Sequence, residues 1–131
     1  MTTQNSQTAK KRILLVEDER SVRETIRLML SRDGHTVREA NNGVEALSAF
    51  RCEKFDLVML DFQIPFLQGD ELAVRIKQLA PQQPILMVTG QAQWPGPDNP
   101  VDALLHKPLD FARLRQTMAQ LLPEVEKTVV A

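Results

Sequence analysis

Asp56-Leu57-Val58-Met59-Leu60-Asp61 decides the reading of this chain, because a short apolar run closes there on a carboxylate. Two other segments are composed as if to meet it. Ile13-Leu14-Leu15-Val16 closes on the acidic pair Glu17-Asp18, and Leu104-Leu105-His106 closes on Lys107-Pro108. A fourth run, Pro84-Ile85-Leu86-Met87-Val88, closes on Thr89-Gly90. Runs that are apolar throughout mark central strands of a parallel sheet covered on both faces. If these runs are neighbours in one such sheet, a carboxylate pair, a carboxylate, a hydroxyl and an ammonium converge at its carboxyl edge. Open α/β sheets place their ligands there.

Helical patterns fill the intervals. Ser21 and Glu24 have the spacing of a capping box, and Val22, Ile26, Met29 and Leu30 repeat at helical spacing up to Gly34. The short strand Thr36-Val37-Arg38-Glu39-Ala40 leads into Asn41-Asn42-Gly43, after which Val44, Leu47 and Phe50 give a second amphipathic helix. Leu72, Ile76 and Leu79 lie on a third, which Pro81 stops. Asp110 is a good N-cap for a last helix, with Phe111, Leu114, Met118, Leu121 and Leu122 on one face and Pro123 at its end. One segment breaks the alternation. From Gly90 to Pro100 three prolines and two glycines oppose a regular helix, so a long irregular loop is predicted where a crossover helix is expected. At best Val101 to Leu104 begins a strand.

Composition fits one small α/β domain. The chain has 131 residues, 43% hydrophobic and 25% charged, and no apolar run approaches the length of a membrane span. A net charge of −1 gives no electrostatic case for direct nucleic-acid or membrane-surface binding. The single Cys52 excludes an internal disulfide and a Cys-based zinc site, which fits a reducing compartment. Residues 1–10 are polar and read as a disordered leader without a secretion signal, so a cytoplasmic location is expected. The domain is expected over 11–123, with a tail over 124–131.

Charge argues the chemistry at the sheet edge. Three carboxylates within about 4 Å of one another repel by a few kcal/mol per pair at an effective dielectric near 20, so a cation is needed among them. Mg²⁺ suits a few carboxylate oxygens with positions left for water and phosphate. An aspartate is a competent nucleophile towards phosphorus when a metal screens the incoming charge. A lysine and a hydroxyl would hold the remaining phosphoryl oxygens. Glu17, Asp18, Asp61, Thr89 and Lys107 supply each of these parts.

Taken together, Val16-Glu17-Asp18-Glu19, Leu60-Asp61-Phe62-Gln63-Ile64-Pro65 with Gly69, Val88-Thr89-Gly90 and Lys107-Pro108 resemble the receiver domains of two-component response regulators, the chemotaxis regulators among them. The resemblance implies a flavodoxin-like, doubly wound, five-stranded parallel sheet in 2-1-3-4-5 order, here with the fourth helix shortened or replaced by the proline-rich loop. It implies Asp61 as the phosphoacceptor, with Glu17, Asp18, Asp61 and the Gln63 carbonyl around Mg²⁺. Thr89 would be the switch hydroxyl and Lys107 the ion-pair partner of the phosphoryl group. Phosphate would come from a histidine kinase or a histidine phosphotransfer protein. The output would be a downstream protein target or an output domain outside this sequence, and a homodimer is compatible with it. Such a domain is a phosphoacceptor that assists its own phosphorylation and dephosphorylation, not an enzyme in the usual sense.

The chain departs from that family chiefly where output is concerned. Leu104 stands where an aromatic residue commonly precedes the lysine, and the chain has no Tyr. The stretch from Thr89 to Lys107 is short by about one helical turn, and Phe66 stands where a small residue is frequent. These departures keep a second reading open, a receiver-like scaffold that acts by protein contact without phosphorylation. A flavin-binding protein is disfavoured because Glu17-Asp18-Glu19 would repel a phosphate. An aspartate-nucleophile hydrolase is disfavoured because Gln63 stands where a second aspartate belongs.

Singly, each residue has a plainer role. Glu17 and Asp18 could cap a helix, Asp61 could serve the turn before Pro65, Thr89-Gly90 could be a strand exit, and Lys107 a solvated charge. Their joint occurrence at successive strand ends favours the site. Trp94 and Phe66 read first as local core over the loop and second as a partner contact. His35 and His106 read as structural, and Cys52 as a small core or boundary residue.

Overall fold

The computed structural model describes residues 10–90 and 100–122. Its elements alternate as β1 (Arg12–Val16), α1 (Arg20–Arg32), β2 (Thr36–Ala40), α2 (Gly43–Cys52), β3 (Leu57–Asp61), α3 (Gly69–Leu79), β4 (Ile85–Thr89), β5 (Ala103–His106) and α4 (Phe111–Leu121). All four strand pairings are parallel, and the sheet order is β2-β1-β3-β4-β5. The parallel sheet is the one expected from the apolar runs, and its doubly wound form and strand order are those the resemblance implies. The irregular loop expected after Thr89 falls largely on residues 91–99, outside the described residues. So do Trp94, most of the leader and the tail. Among the described residues no helix stands between β4 and β5.

The central strands β1, β3 and β4 are apolar on both sides because each side packs a helical layer. Leu14, Val16, Val58, Leu60, Ile85 and Met87 face one core, shared with Leu47 of α2 and with Leu72 and Ile76 of α3. Their neighbours Ile13, Leu15, Leu57, Met59, Leu86 and Val88 face the other, shared with Ile26 and Leu30 of α1 and with Leu114 and Met118 of α4. A period of two thus divides each strand between two cores. Register then fixes the carboxyl edge. Val16 pairs with Leu60, Asp61 with Val88, and Thr89 with His106, which brings Glu17, Asp61, Thr89 and Lys107 to one rim.

Several local expectations need correction. The capping box at Ser21 is not used. Helix α1 begins at Arg20, which places Ser21 inside its first turn, and the N-cap Glu19 makes no side-chain cap bond. Glu24 instead reaches Arg20. The corresponding device sits at α2, where Asn42 accepts from the Glu45 N–H at 2.7 Å and Glu45 accepts from the Asn41 N–H at 2.9 Å. Asp110 caps α4 as expected, accepting from the Ala112 and Arg113 N–H groups. Val44 and Leu79, expected on apolar inner faces, are 58% and 50% exposed. The buried seam of α2 starts one residue earlier, at Gly43, and continues through Ala46 and Leu47. The seam of α3 runs from Gly69 through Leu72, Ala73 and Ile76, which leaves Leu79 off its face. Cys52 lies half a turn round from Gly43 and is exposed, not a core residue.

Candidate functional site

At the carboxyl rim Glu17 is buried, Asp61 is buried and Thr89 is almost wholly enclosed, while Asp18 is exposed. One carboxylate oxygen from each of Glu17, Asp18 and Asp61 falls within a cluster of 4.8 Å. Lys107 extends from the end of β5 into this cluster. Its Nζ donates to Asp61 Oδ2 at 2.7 Å and to Glu17 Oε1 at 3.2 Å. The lysine is held in turn by its backbone, since its N–H donates to the Thr89 carbonyl at 2.9 Å and extends the β4–β5 ladder by one step. Glu17 is anchored the same way by its N–H to the Ala40 carbonyl at 3.1 Å.

The second oxygens of Glu17 and Asp61 accept from the main chain. Glu17 Oε2 accepts from the Glu19 N–H and Asp61 Oδ1 from the Gln63 N–H, both at 3.1 Å. These amide donors orient the acids, and side-chain identities gave no sign of them. Burial pushes the Glu17 carboxyl up to about 7, helped by the charge of Asp61 and opposed by the Glu19 amide and Lys107. Burial alone would pull the Lys107 ammonium down, but its bond to Asp61 and the charge of Glu17 outweigh this and raise it. One ammonium therefore faces three carboxylates. A set of hard oxygen donors this short of positive charge fits a divalent cation such as Mg²⁺.

The loop from Asp61 to Gly69 is fastened at both ends. The Gly69 N–H donates to the Phe62 carbonyl at 2.8 Å, and a Cβ on Gly69 would meet the Asp61 carbonyl oxygen at 2.3 Å and Phe62 Cα at 2.8 Å. Only glycine lets α3 start this close to the strand end. At the other side the Gly43 N–H donates to the Pro65 carbonyl at 3.2 Å, and a Cβ there would lie 2.2 Å from the Leu67 carbonyl oxygen. Between these two fasteners Phe66 takes a φ of 73°, and the Leu67 N–H closes back on the Pro65 carbonyl at 2.8 Å. That is a γ-turn with a bulky residue in left-handed backbone, a strained arrangement.

The structure thus brings together Glu17, Asp18, Asp61 and Lys107. Thr89 stands next to them on the adjoining strand, one residue past the Asp61–Val88 pair. Gln63 meets Asp61 through its amide N–H, and its side chain is exposed. Phe66 corrects its expected place in local core, since it is 82% exposed. His35 is buried, accepting the Lys11 N–H on Nδ1 at 3.1 Å, and His106 is exposed.

Comparison with known proteins agrees with this geometry. The family model described as "Response regulator receiver domain" matches residues 13–119. "Response regulator MprA" of Mycobacterium ulcerans is 36% identical over 115 residues, covering 85% of this chain and 50% of that protein. "Autoinducer 1 sensor kinase/phosphatase LuxN" of Vibrio campbellii is 31% identical over 84% of this chain and 13% of its own length. The chain spans about half the length of the curated response regulators it matches. Among solved structures, the response regulator TrrA of Thermotoga maritima in complex with Mg²⁺-BeF superposes with a TM-score of 0.81 at 32% identity, covering 86% of this chain and 99% of that one. A CheY-like receiver domain protein of Methanospirillum hungatei gives 0.82 at 29% identity, covering 92% and 99%.

Proposed function

We propose that this chain, which belongs to the response regulator receiver domain family, takes a phosphoryl group onto Asp61 from a histidine kinase or histidine phosphotransfer protein and thereby alters its contacts with a downstream partner. The observation that carries this reading is the position of Asp61, with one carboxylate oxygen on Lys107 at 2.7 Å and another oriented by the Gln63 N–H. Glu17, Asp18, Asp61 and the Gln63 carbonyl would hold Mg²⁺, which supplies the screening that lets a carboxylate approach a negatively charged phosphoryl donor.

Asp61 contributes the nucleophilic oxygen. A bond from that oxygen to phosphorus forms as the phosphorus–nitrogen bond of the donor phosphohistidine breaks, and the departing imidazole takes up a proton. The Lys107 ammonium, already on the Asp61 carboxylate, follows the new charge onto a phosphoryl oxygen. The Thr89 hydroxyl, on the neighbouring strand, would bind another. Both act by position and charge, which is most of what phosphoryl transfer requires. Hydrolysis of the acyl phosphate within the same site returns Asp61, so the domain assists both halves of its own cycle. The setting is cytoplasmic, where kinase, magnesium and thiol-reducing conditions coincide, and no helix among the described residues is long and apolar enough to cross a membrane. Output passes to a separate target or to an output domain outside this sequence.

Incubation with acetyl phosphate tests the proposal. With Mg²⁺ present, the wild type gains one phosphoryl mass and Asp61→Ala gains none. Chelation of Mg²⁺ abolishes the gain. An unmodified wild type, with Mg²⁺ at saturation, contradicts it and leaves protein contact without phosphorylation as the function.

A further inference from the structure

The layer formed by α2 and α3 carries an apolar trough that the phosphoacceptor site does not use. Phe66, 82% exposed, stands at its head beside Val44, which is 58% exposed. Val44, Arg51, Phe66 and Arg75 line a depression of about 580 Å³. Arg51 and Arg75 recur in a second depression of about 360 Å³, with Val74 and the half-exposed Leu79 beyond them. Two shared arginines make the depressions one continuous trough between two packed helices. Its walls are about 15 Å long, the length of a three-turn helix.

Charge and strain indicate what lies in it. Arg51 makes no ion pair with any described residue, and Arg75 makes one, a 3.3 Å i,i+4 contact to Glu71 in which both side chains are about half exposed. Glu71 also lines the trough and offsets Arg75, so its centre carries one net positive charge, from Arg51, and its ends are apolar. Phe66 is held outward on strained backbone by a loop fastened to α2 and α3, and burial of its ring within the domain does not explain that strain. An exposed aromatic on a rigid turn is the form a binding anchor takes.

We propose that the α2–α3 trough docks an amphipathic helix of another protein, whose apolar seam lies between Phe66 and Leu79 and whose flanking carboxylates meet Arg51 and Arg75. Apolar anchors at helical spacing in a groove between helices are a recurring mode of recognition. An isologous pair of this chain would set arginines against arginines. An anionic membrane recruits clusters of about four to eight cations, against two here. This surface lies on the opposite helical layer from α1 and α4, and docking there does not require that Asp61 accept phosphate.

Two synthetic helical peptides with one leucine seam, flanked by glutamates in the first and lysines in the second, test the proposal against the whole chain. Fluorescence anisotropy is expected to show the glutamate peptide binding about tenfold tighter. Amide shifts should be confined to α2, α3 and residues 64–67. Phe66→Gly and Arg51→Glu should each weaken binding about tenfold, as loss of an anchor does, and Phe66→Gly, which relieves the left-handed backbone, does not lower the melting temperature. A merely structural role for Phe66 would instead leave affinity unchanged. Equal affinity for the two peptides, no binding of the glutamate peptide, or shifts on another face would overturn the proposal. So would Phe66-dependent binding to phosphatidylserine vesicles, or Phe66-dependent dimers in sedimentation, each of which gives the surface to a different occupant.

Discussion

The Nζ of Lys107 stands 2.7 Å from Oδ2 of Asp61, across the 46 residues that separate them in sequence. That contact joins the end of β5 to the end of β3 with β4 between them. Lys107 also holds Glu17 at 3.2 Å, so a single ammonium spans two of the three carboxylates. It partly fills the role that a divalent cation would take in full.

Lys107 should therefore weaken metal binding at the site it neutralises. Removing one nearby positive charge relieves about 1–2 kcal/mol of cation repulsion even with screening close to that of bulk water. Calorimetry is expected to show Lys107→Met binding Mg²⁺ roughly five- to thirtyfold tighter than wild type. Equal or weaker affinity would show that the lysine does not share its carboxylates with a metal.

Gly69→Ala should disturb both stability and phosphorylation. The new methyl would meet backbone atoms of Asp61 and Phe62, which cannot swing aside as a flexible side chain could. Overpacking of this kind costs about 1–3 kcal/mol, and the relief available is to move the Asp61 carbonyl and with it the carboxylate. Urea unfolding and acetyl phosphate labelling of the same variant measure the two effects, and a drop in labelling rate is expected even where the variant remains folded.

His35 gives the fold a pH dependence of definite sign. Burial holds its pKa below the ordinary value of 6.5, with the Lys11 charge adding to the effect and Asp33 and Asp56 opposing it. The folded state prefers neutral imidazole, whose Nδ1 accepts the Lys11 N–H, so the unfolded chain binds more protons once pH falls below about 6.5. Stability is full above that pH and declines as pH drops through it towards the folded pKa. Glu17, raised to about 7, contributes with the opposite sign over the same range, so the test is the difference between variants. From pH 7.5 to 5 the urea midpoint of wild type should fall relative to that of His35→Asn, in which the Glu17 contribution is unchanged.

Asp102 should matter through one hydrogen bond more than through its charge. Its Oδ2 accepts from the buried Ile85 N–H at 2.8 Å and from Lys77 at 2.9 Å, and its own N–H donates back to the Ile85 carbonyl. Asp102→Ala strands a strand-opening amide at a cost of about 1–3 kcal/mol. Asp102→Asn keeps an acceptor and loses only a partly exposed ion pair, worth about 0–1 kcal/mol. Thermal unfolding of the two variants should separate them in that order.

The four apolar runs and their terminal residues made the sheet and most of its rim legible in the sequence, since a strand buried on both faces leaves an uninterrupted apolar signature. Asp61, Glu17, Asp18 and Lys107 were legible because each ends such a run. What escaped reading was main chain. The amides of Glu19 and Gln63 that orient the acids carry no side-chain signal, and nothing in the sequence marks how closely Gly43 approaches Leu67. That unseen contact shifted the inner face of α2 by one residue and left Val44 outside. Phe66 was misread for a related reason, because its outward ring follows from a γ-turn set by two neighbouring backbone bonds.

Borohydride trapping tests the central proposal most directly, since hydride reduces an acyl phosphate of aspartate to the corresponding alcohol. Protein treated with acetyl phosphate and Mg²⁺, then reduced and digested, is expected to carry homoserine at position 61 and at no other aspartate. Homoserine elsewhere, or intact Asp61 in protein exposed to saturating donor and metal, would contradict the account.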